Sequence, residues 1–339
     1  MSCRMIYFLT KVIMFPFSVI YGLIIIIRNI LFDYGIIKSK KFNTKIISIG
    51  NLIMGGSGKT PHVEFIVKLL LDKNQSISII SRGYKRVTKG LISLSEKDNF
   101  MTVGDEPMQY FKKFKGKLDV IVSEDRQKAI QLSEKKNVEY VVMDDAYQQR
   151  SIEADCDLLI SSIKRPFYDD SLFPVGRLRE FRYNANRADV LIFSGCDIGI
   201  TEMEKRNFES KAKKYLKKNT PILFSCISYD KPKKIFGEKI KKNVVAISSI
   251  AYPDDFFKYV DDHFKLVETY SFPDHHKYED DDITMILKNH GDNITILTTE
   301  KDAVKLCEYR HLLEGISVYY VPINITFLNK VSILEYLPK

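Results

Sequence analysis

The 339-residue chain predicts an α/β protein. Its expected architecture is a doubly wound, mostly parallel sheet with a smaller C-terminal α/β domain and an apolar N-terminal helix. Short apolar runs recur with helical stretches between them, the pattern of buried parallel strands joined by helical crossovers. The first of these runs ends in a glycine-rich stretch, and a later one ends in two adjacent carboxylates. Ahead of them all, Met5 to Ile27 is almost wholly apolar, broken by Lys11.

Between Lys11 and Arg28 lie sixteen uncharged residues, VIMFPFSVIYGLIIII. That is short of the ~20 needed to span a bilayer. Three readings stay open: a helix lying in or dipping into a membrane, a short tilted span, or a buried core helix. In the first, Arg28, Lys38, Lys40, Lys41 and Lys45 would meet anionic head groups. No small-residue cleavage site follows, so no removed signal peptide is expected. The positive flank on the C-terminal side keeps the main body cytosolic.

Lys45 to Gly50 (KIISIG) reads as a strand, and His62 to Leu71 as an amphipathic helix. Between them stands Asn51-Leu52-Ile53-Met54-Gly55-Gly56-Ser57-Gly58-Lys59-Thr60. Strand, glycine-rich loop, Gly-Lys-Thr and helix is the layout of a phosphate-binding loop. Glycines let successive N–H groups turn toward phosphate oxygens, and the helix N-terminus adds partial positive charge. Lys59 would reach the outer phosphates and the Thr60 hydroxyl would ligate Mg²⁺. Ile53 stands where the usual pattern has its first glycine.

Ser76–Ser81, Leu118–Ser123, Glu139–Met143, Asp157–Ser161 and Asp189–Ser194 read as further buried strands, with a helix over Arg126–Lys136. A lysine-rich helix, Glu202–Lys218, precedes a strand at Pro221–Ile227. Asp230–Lys242 is polar and reads as a hinge. Asn243–Ser248 and Asn293–Leu297 are later strands, with helices around Pro253–Asp262 and Glu279–Asn289. The expected division is a membrane-associated helix over residues 1–35, a phosphate-loop domain over 36–224 and the smaller domain over 225–339.

Net charge is +9 with a pI near 9.0, which suits an anionic partner: nucleic acid, anionic lipid or nucleotide. No dense Lys/Arg run interleaved with aromatics is present, so no nucleic acid is expected. Five scattered cysteines without a CxxC pair read as reduced thiols, not as a disulfide framework or zinc site.

Asp144-Asp145 closes the run Tyr140–Met143. A carboxylate at the tip of a buried strand is where a phosphate-loop enzyme holds Mg²⁺, directly or through water. In Gly104-Asp105-Glu106-Pro107, spacing alone favours Asp105 as a helix N-cap over a general base. Phe272-Pro273-Asp274-His275-His276 holds the chain's only histidine pair, suited to acid–base or carboxylate-orienting work. Thr298-Thr299-Glu300-Lys301-Asp302 lacks the residue between Lys and Asp that guanine reading requires, and Thr299 with Asp302 makes a capping pair instead. Ser81-Arg82-Gly83-Tyr84 and Gly176-Arg177-Leu178-Arg179-Glu180 put cations near strand ends.

In this order, SIGNLIMGGSGKTP, SRGY, VGDEP, the DD-x-x-Q segment, PVGRLRE, FPDHHKY and TTEKDAVKL resemble the tetraacyldisaccharide 4′-kinases, the lipid A kinases of Gram-negative bacteria. The likeness covers nearly the whole chain. Two segments depart from the family: Ala146-Tyr147-Gln148-Gln149 stands for Gly-Phe-Gln-His, and Ser248-Ser249-Ile250-Ala251 for a more glycine-rich turn.

The resemblance implies phosphorylation of the 4′-hydroxyl of a tetraacylated disaccharide 1-phosphate by ATP with Mg²⁺. It makes Asp105 the base, paired with His275, and has the two domains close over ATP so that these residues meet. Residues 53–60, with Lys59 catalytic, would hold ATP. Thr60, Asp145 and either Asp144 or Glu180 would hold the metal, directly or through water. The N-terminal helix would dock at the cytoplasmic face of the inner membrane, where the lipid substrate resides. The alternative is a membrane-associated phosphate-loop ATPase or nucleotide switch acting on a partner protein, which would leave the GDEP and DHH segments without a purpose.

Overall fold

The computed structural model describes residues 3–339, with side chains from Thr10 onward. The elements run α1 (Cys3–Asp33), β1 (Lys45–Gly50), α2 (Lys59–Leu71), β2 (Ile77–Ser81), β3 (Ile92–Ser93), α3 (Phe100–Val103) and α4 (Asp105–Lys113). Then come β4 (Asp119–Val122), α5 (Arg126–Lys135), β5 (Tyr140–Asp144), β6 (Cys156–Ser162), β7 (Val190–Ser194), α6 (Glu202–Ala212) and β8 (Ile222–Tyr229). The last are β9 (Lys233–Phe236), β10 (Asn243–Ser248), α7 (Asp254–His263), β11 (Lys265–Ser271), α8 (Asp280–His290), β12 (Thr295–Thr299), α9 (Glu300–Leu306), β13 (Ser317–Val321) and β14 (Ile323–Phe327).

Two compact units form: residues 1–78, 130–227 and 325–339 in the first, residues 79–129 and 228–324 in the second. In the first unit β1 pairs in parallel with β5 and β6, β6 with β7, and β7 with β8. β14, where the chain returns to this unit, lies beyond β8. β5 and β7 are buried along their whole length and β1 at all but its first residue, which is why they read as continuous apolar runs. β1 lies between β5 and β6, so loops from all three strands gather at the C-terminal edge, where doubly wound sheets bind ligands.

In the second unit a sheet of order β11-β10-β12-β13-β9 is parallel except for β9, which runs antiparallel to β13. Alternate residues of β10 serve opposite faces. Val245 and Ile247 pack with Tyr278, Ile283 and Ile286, while Val244 and Ala246 pack with Phe256 and Val260. α3, α4 and β4 also belong here: Phe100, Val103, Met108 and Val122 cluster with Val304 of α9. Lys113 pairs with Glu300 at 2.9 Å.

The grouping therefore differs from a single cut at residue 225, because residues far apart in sequence share one apolar cluster. The expected hinge carries strand β9, and the expected helix to Lys218 ends as α6 at Ala212, followed by a short 3-10 turn at 213–215.

α1 belongs to the first unit and is not a core helix. From Thr10 to Asp33 it is long and apolar enough to cross a membrane, and only 11% of its most apolar window is buried. At 1.5 Å per residue these 24 residues extend about 36 Å. Ile13, Phe17, Ile20, Ile24 and Ile27 are exposed. One face docks: Ser18 Oγ donates to the Leu172 carbonyl at 3.1 Å, Tyr21 Oη to the Arg179 carbonyl at 2.7 Å, and Asn29 Nδ2 to Glu180 at 3.2 Å. A Cβ on Gly22 would stand 2.9 Å from the Phe181 ring, so a side chain there would make the ring shift.

Two buried positions lie under the glycine-rich loop. A Cβ on Gly50 would stand 2.5 Å from the Tyr147 backbone nitrogen. Gly50→Ala is expected to destabilise the protein by about 1–3 kcal/mol, the range for forced overpacking, read as a lower urea midpoint; an unchanged midpoint would show that the loop yields.

His62, in α2, donates from Nδ1 to the Gly58 carbonyl at 2.7 Å, and its Nε2 meets Ser225 Oγ at 2.9 Å. Burial lowers its pKa from 6.5 to about 4, opposed by the Gly58 bond. The unfolded chain thus binds this proton first. The contribution is complete above pH 6.5 and is lost as pH falls toward 4, in total about 3 kcal/mol. His62→Gln should flatten the stability profile across that window, and parallel profiles for the two proteins would refute the assignment.

Candidate active site

The glycine-rich loop leaves β1 at Gly50 and enters α2 at Lys59. Gly55 and Gly58 have φ of 92° and 81°, the left-handed region where glycine costs least. Gly58 caps α2 without a side-chain hydrogen bond, so the helix presents backbone N–H groups there to an anion. The loop is braced from beneath. Asn51 Nδ2 donates to Ser57 Oγ at 2.7 Å, and Ser194 Oγ to the Ser57 carbonyl at 2.6 Å.

Ile53, where glycine was expected, has its backbone paired with Leu178 in an antiparallel bridge. Met54 N–H donates to the Arg177 carbonyl at 2.9 Å, and Arg179 N–H to the Leu52 carbonyl at 2.7 Å. The Ile53 side chain packs into the core with Leu52, Phe167 and Leu178. The first turn of this loop is thus held by a neighbouring strand-like segment, which removes the need for a glycine.

Asp144 is the last residue of β5, opposite Ile49 of β1, and is buried. Asp145 follows with φ 48°, a strained value for a side chain with a Cβ. Both its oxygens accept from Arg179 Nη1, at 2.8 and 2.9 Å, and Lys59 Nζ is 3.5 Å away. Arginine and lysine therefore converge at the mouth of the loop around one carboxylate.

Glu180 does not join them. It is fully buried and pairs with Arg187 at 2.8 Å, Asn29 at 3.2 Å and Arg28 at 3.8 Å. A carboxylate buried to this degree requires cations of its own, and they come from α1 and the 3-10 turn over Arg182–Arg187.

Among the described residues no group of three or more His, Cys, Asp or Glu side chains could hold a metal. Magnesium at a phosphate loop needs no such cage, since it keeps waters and takes phosphate oxygens alongside a hydroxyl and a carboxylate. Thr60, second in α2, and Asp144 fit that donor set.

The second unit gathers SRGY, GDEP, FPDHHKY and TTEKDAVKL. Gly104, at φ 99°, caps α4, and Asp105 is the first helical residue. Asp105 is therefore not the cap that spacing favoured. Its Oδ1 accepts the Glu106 N–H at 3.0 Å, and its Oδ2 faces His275 Nδ1 at 2.8 Å. Lys305 and Lys301 lie 3.7 and 3.8 Å from Oδ2. Burial opposes ionisation of Asp105, but the His275 hydrogen bond and the two ammonium groups outweigh it, so its pKa falls well below the usual carboxylate range.

His275 sits at φ 58° in a turn closed by His276 N–H on the Pro273 carbonyl at 2.9 Å. That position in such a turn is one that glycine usually fills. The Tyr84 ring meets the imidazole edge-on at 5.1 Å. His276 turns away to Asp282 at 2.8 Å and stacks on Phe272. Asp105 and His275 share one unit, so their contact requires no closure of one domain on another.

Thr299 caps α9, accepting the Asp302 N–H at 3.1 Å, as its spacing predicted. Asp302 accepts from the Ser249 N–H at 2.8 Å and from the Ser249 hydroxyl, and Lys305 bonds both residues. The roles of Lys301, Lys305 and Ser249 were not read from sequence. Their one signal was the four-residue spacing of the lysines, which puts both on one helix face.

Residues 10–338 match the family described as tetraacyldisaccharide-1-P 4′-kinase. The tetraacyldisaccharide 4′-kinase of Flavobacterium johnsoniae is 37% identical over 97% of this chain and 98% of its own length. That of Bacteroides fragilis is 34% identical over 93% and 88%. A crystal structure of LpxK from Aquifex aeolicus in complex with ATP aligns with a TM-score of 0.76 at 30% identity, covering 96% of this chain and 98% of that one. The chain belongs to the tetraacyldisaccharide 4′-kinase family.

Proposed function

We propose that this chain transfers the γ-phosphoryl group of ATP to the 4′-hydroxyl of a tetraacyldisaccharide 1-phosphate, giving the 4′-phosphorylated lipid of lipid A synthesis. The observation that carries the reading is the contact at 2.8 Å between buried Asp105 and half-buried His275, in a chain whose residues 10–338 match that family. An ATPase or nucleotide switch gives no role to an ionised, buried carboxylate held against an imidazole.

The residues divide the work. The loop from Ile53 to Thr60 would bind the phosphates through backbone N–H groups, with Lys59 on the outer ones. Arg179, now on Asp145, is a second cation for a transferring phosphoryl group. Thr60 and Asp144 would hold Mg²⁺, with Asp145 as counter-ion to Lys59 and Arg179. When bound, Mg²⁺ supplies neutralisation of charge on the phosphates. Asp105 would take the proton of the attacking hydroxyl, with His275 orienting it. The exposed apolar face of α1 would seat the enzyme on the cytoplasmic surface of the inner membrane, where an acylated acceptor is available.

Purified protein in detergent micelles, given γ-labelled ATP and a tetraacyldisaccharide 1-phosphate, should yield labelled lipid. Folded protein that binds ATP and labels nothing would sink the reading. Asp105→Ala should lower kcat about 10²-fold or more, as expected for loss of a general base. A rate equal to wild type would leave Asp105 a structural residue.

A further inference from the structure

The reaction as proposed leaves Lys301 unused. Its ammonium lies 3.1 Å from His275 Nε2, 3.3 Å from Asp274 Oδ1, and 3.8 Å from both Asp105 Oδ2 and Glu106 Oε1. Its neighbour Lys305 is 1% exposed and tied to Asp302 and Ser249, which accounts for it as a structural cation. Of the two lysines, Lys301 is the one that touches the imidazole.

Donor and acceptor chemistry then fixes the ring. An ionised carboxylate only accepts and an ammonium only donates. Asp105 is held ionised by its partners. Lys301 is held charged: burial works against its charge, but Glu106, Asp105, Asp274 and Asp302 outweigh it and raise its pKa. His275 Nδ1 faces the acceptor and therefore carries the proton, while Nε2 faces the donor and is bare. The groups facing the ring are Asp105 from α4, Lys301 from α9, the Tyr84 ring, and Asp274 Oδ2 from its own turn, which at 3.8 Å from Nε2 lies beyond hydrogen-bond reach while Lys301 is at 3.1 Å. Glu106 lies 3.8 Å from Lys301, and Lys305 lies 3.7 Å from Asp105.

An Asp–His pair of this kind commonly works the other way, the carboxylate orienting the ring while Nε2 takes the proton. Here Nε2 already has its hydrogen bond. We propose that Lys301 is a positioning residue that fixes His275 as the Nδ1–H tautomer and closes Nε2, so that Asp105 and not His275 receives the proton of the acceptor hydroxyl. This rests on the kinase reading above. In the step, the acceptor O–H bond breaks and its proton passes to Asp105. The freed electron pair forms the new O–P bond, and the bond from phosphorus to the β-phosphate oxygen breaks with its pair on ADP.

The test uses the full chain in micelles with ¹⁵N-labelled histidine, the His275 signal being assigned by its loss in His275→Gln. Wild type should show a protonated Nδ1 and a bare Nε2. Lys301→Met should mix the tautomers and lower kcat about tenfold, the lower end for loss of an outer partner that orients a reacting group, with KM for both substrates within about twofold. Lys301→Arg, which keeps a donor at Nε2, should hold the tautomer and most of kcat.

A proton on Nε2 in an active wild type would overturn the proposal and leave the kinase reading standing. So would a Lys301→Met protein with wild-type tautomer and rate. If Lys301→Met does not fold, the wild-type and Lys301→Arg spectra decide. A folded wild type that labels no lipid overturns the kinase reading and the choice of base with it.

Discussion

A carboxylate taken out of water must find positive charge or donors, and both units are organised by that constraint. Glu180 holds Arg187, Arg28 and Asn29. Asp145, only half-buried, holds Arg179 and Lys59. Asp105 holds His275 with two lysines nearby, and Asp302 holds Lys305 and both donors of Ser249. Removing one partner of a buried pair typically costs about 3–5 kcal/mol, because the other charge is left stranded. These acids therefore fix the positions of Lys59 and Arg179 and of the imidazole that meets Asp105.

Backbone strain falls at two of the same places. Asp145 and His275 are among the few non-glycine residues with positive φ, and the other four are three asparagines and a lysine. Asparagine and aspartate tolerate that conformation through local hydrogen bonding. At both Asp145 and His275 the side chain also meets a charged partner, Arg179 and Asp105 respectively.

The N-terminal helix is both a surface and a wall. Most of it is exposed and apolar, yet Tyr21, Arg28 and Asn29 bind the segment carrying Arg179 and Glu180, and Arg28 also donates to the Gln148 carbonyl. Gln148 in turn donates to the Asn51 carbonyl at the start of the glycine-rich loop. The sixteen-residue uncharged run understated the helix, since Arg28 lies within it and spends its charge on Glu180 rather than marking its end.

The sequence by itself determined the local features. Continuous apolar runs became buried parallel strands, and Gly55, Gly58, Lys59 and Thr60 formed the expected loop between β1 and α2. Such features depend on residues a few positions apart, where period and φ preference are direct evidence. The tertiary structure decided what depends on distant partners. It grouped α3, α4 and β4 with α9, placed Glu180 with α1, and closed the Asp105–His275 contact that the family resemblance alone had implied. It also explains Ile53, whose backbone is supported by Leu178, more than a hundred residues away. Spacing cannot report a hydrogen bond closed across 170 positions of sequence, which is the separation of Asp105 and His275.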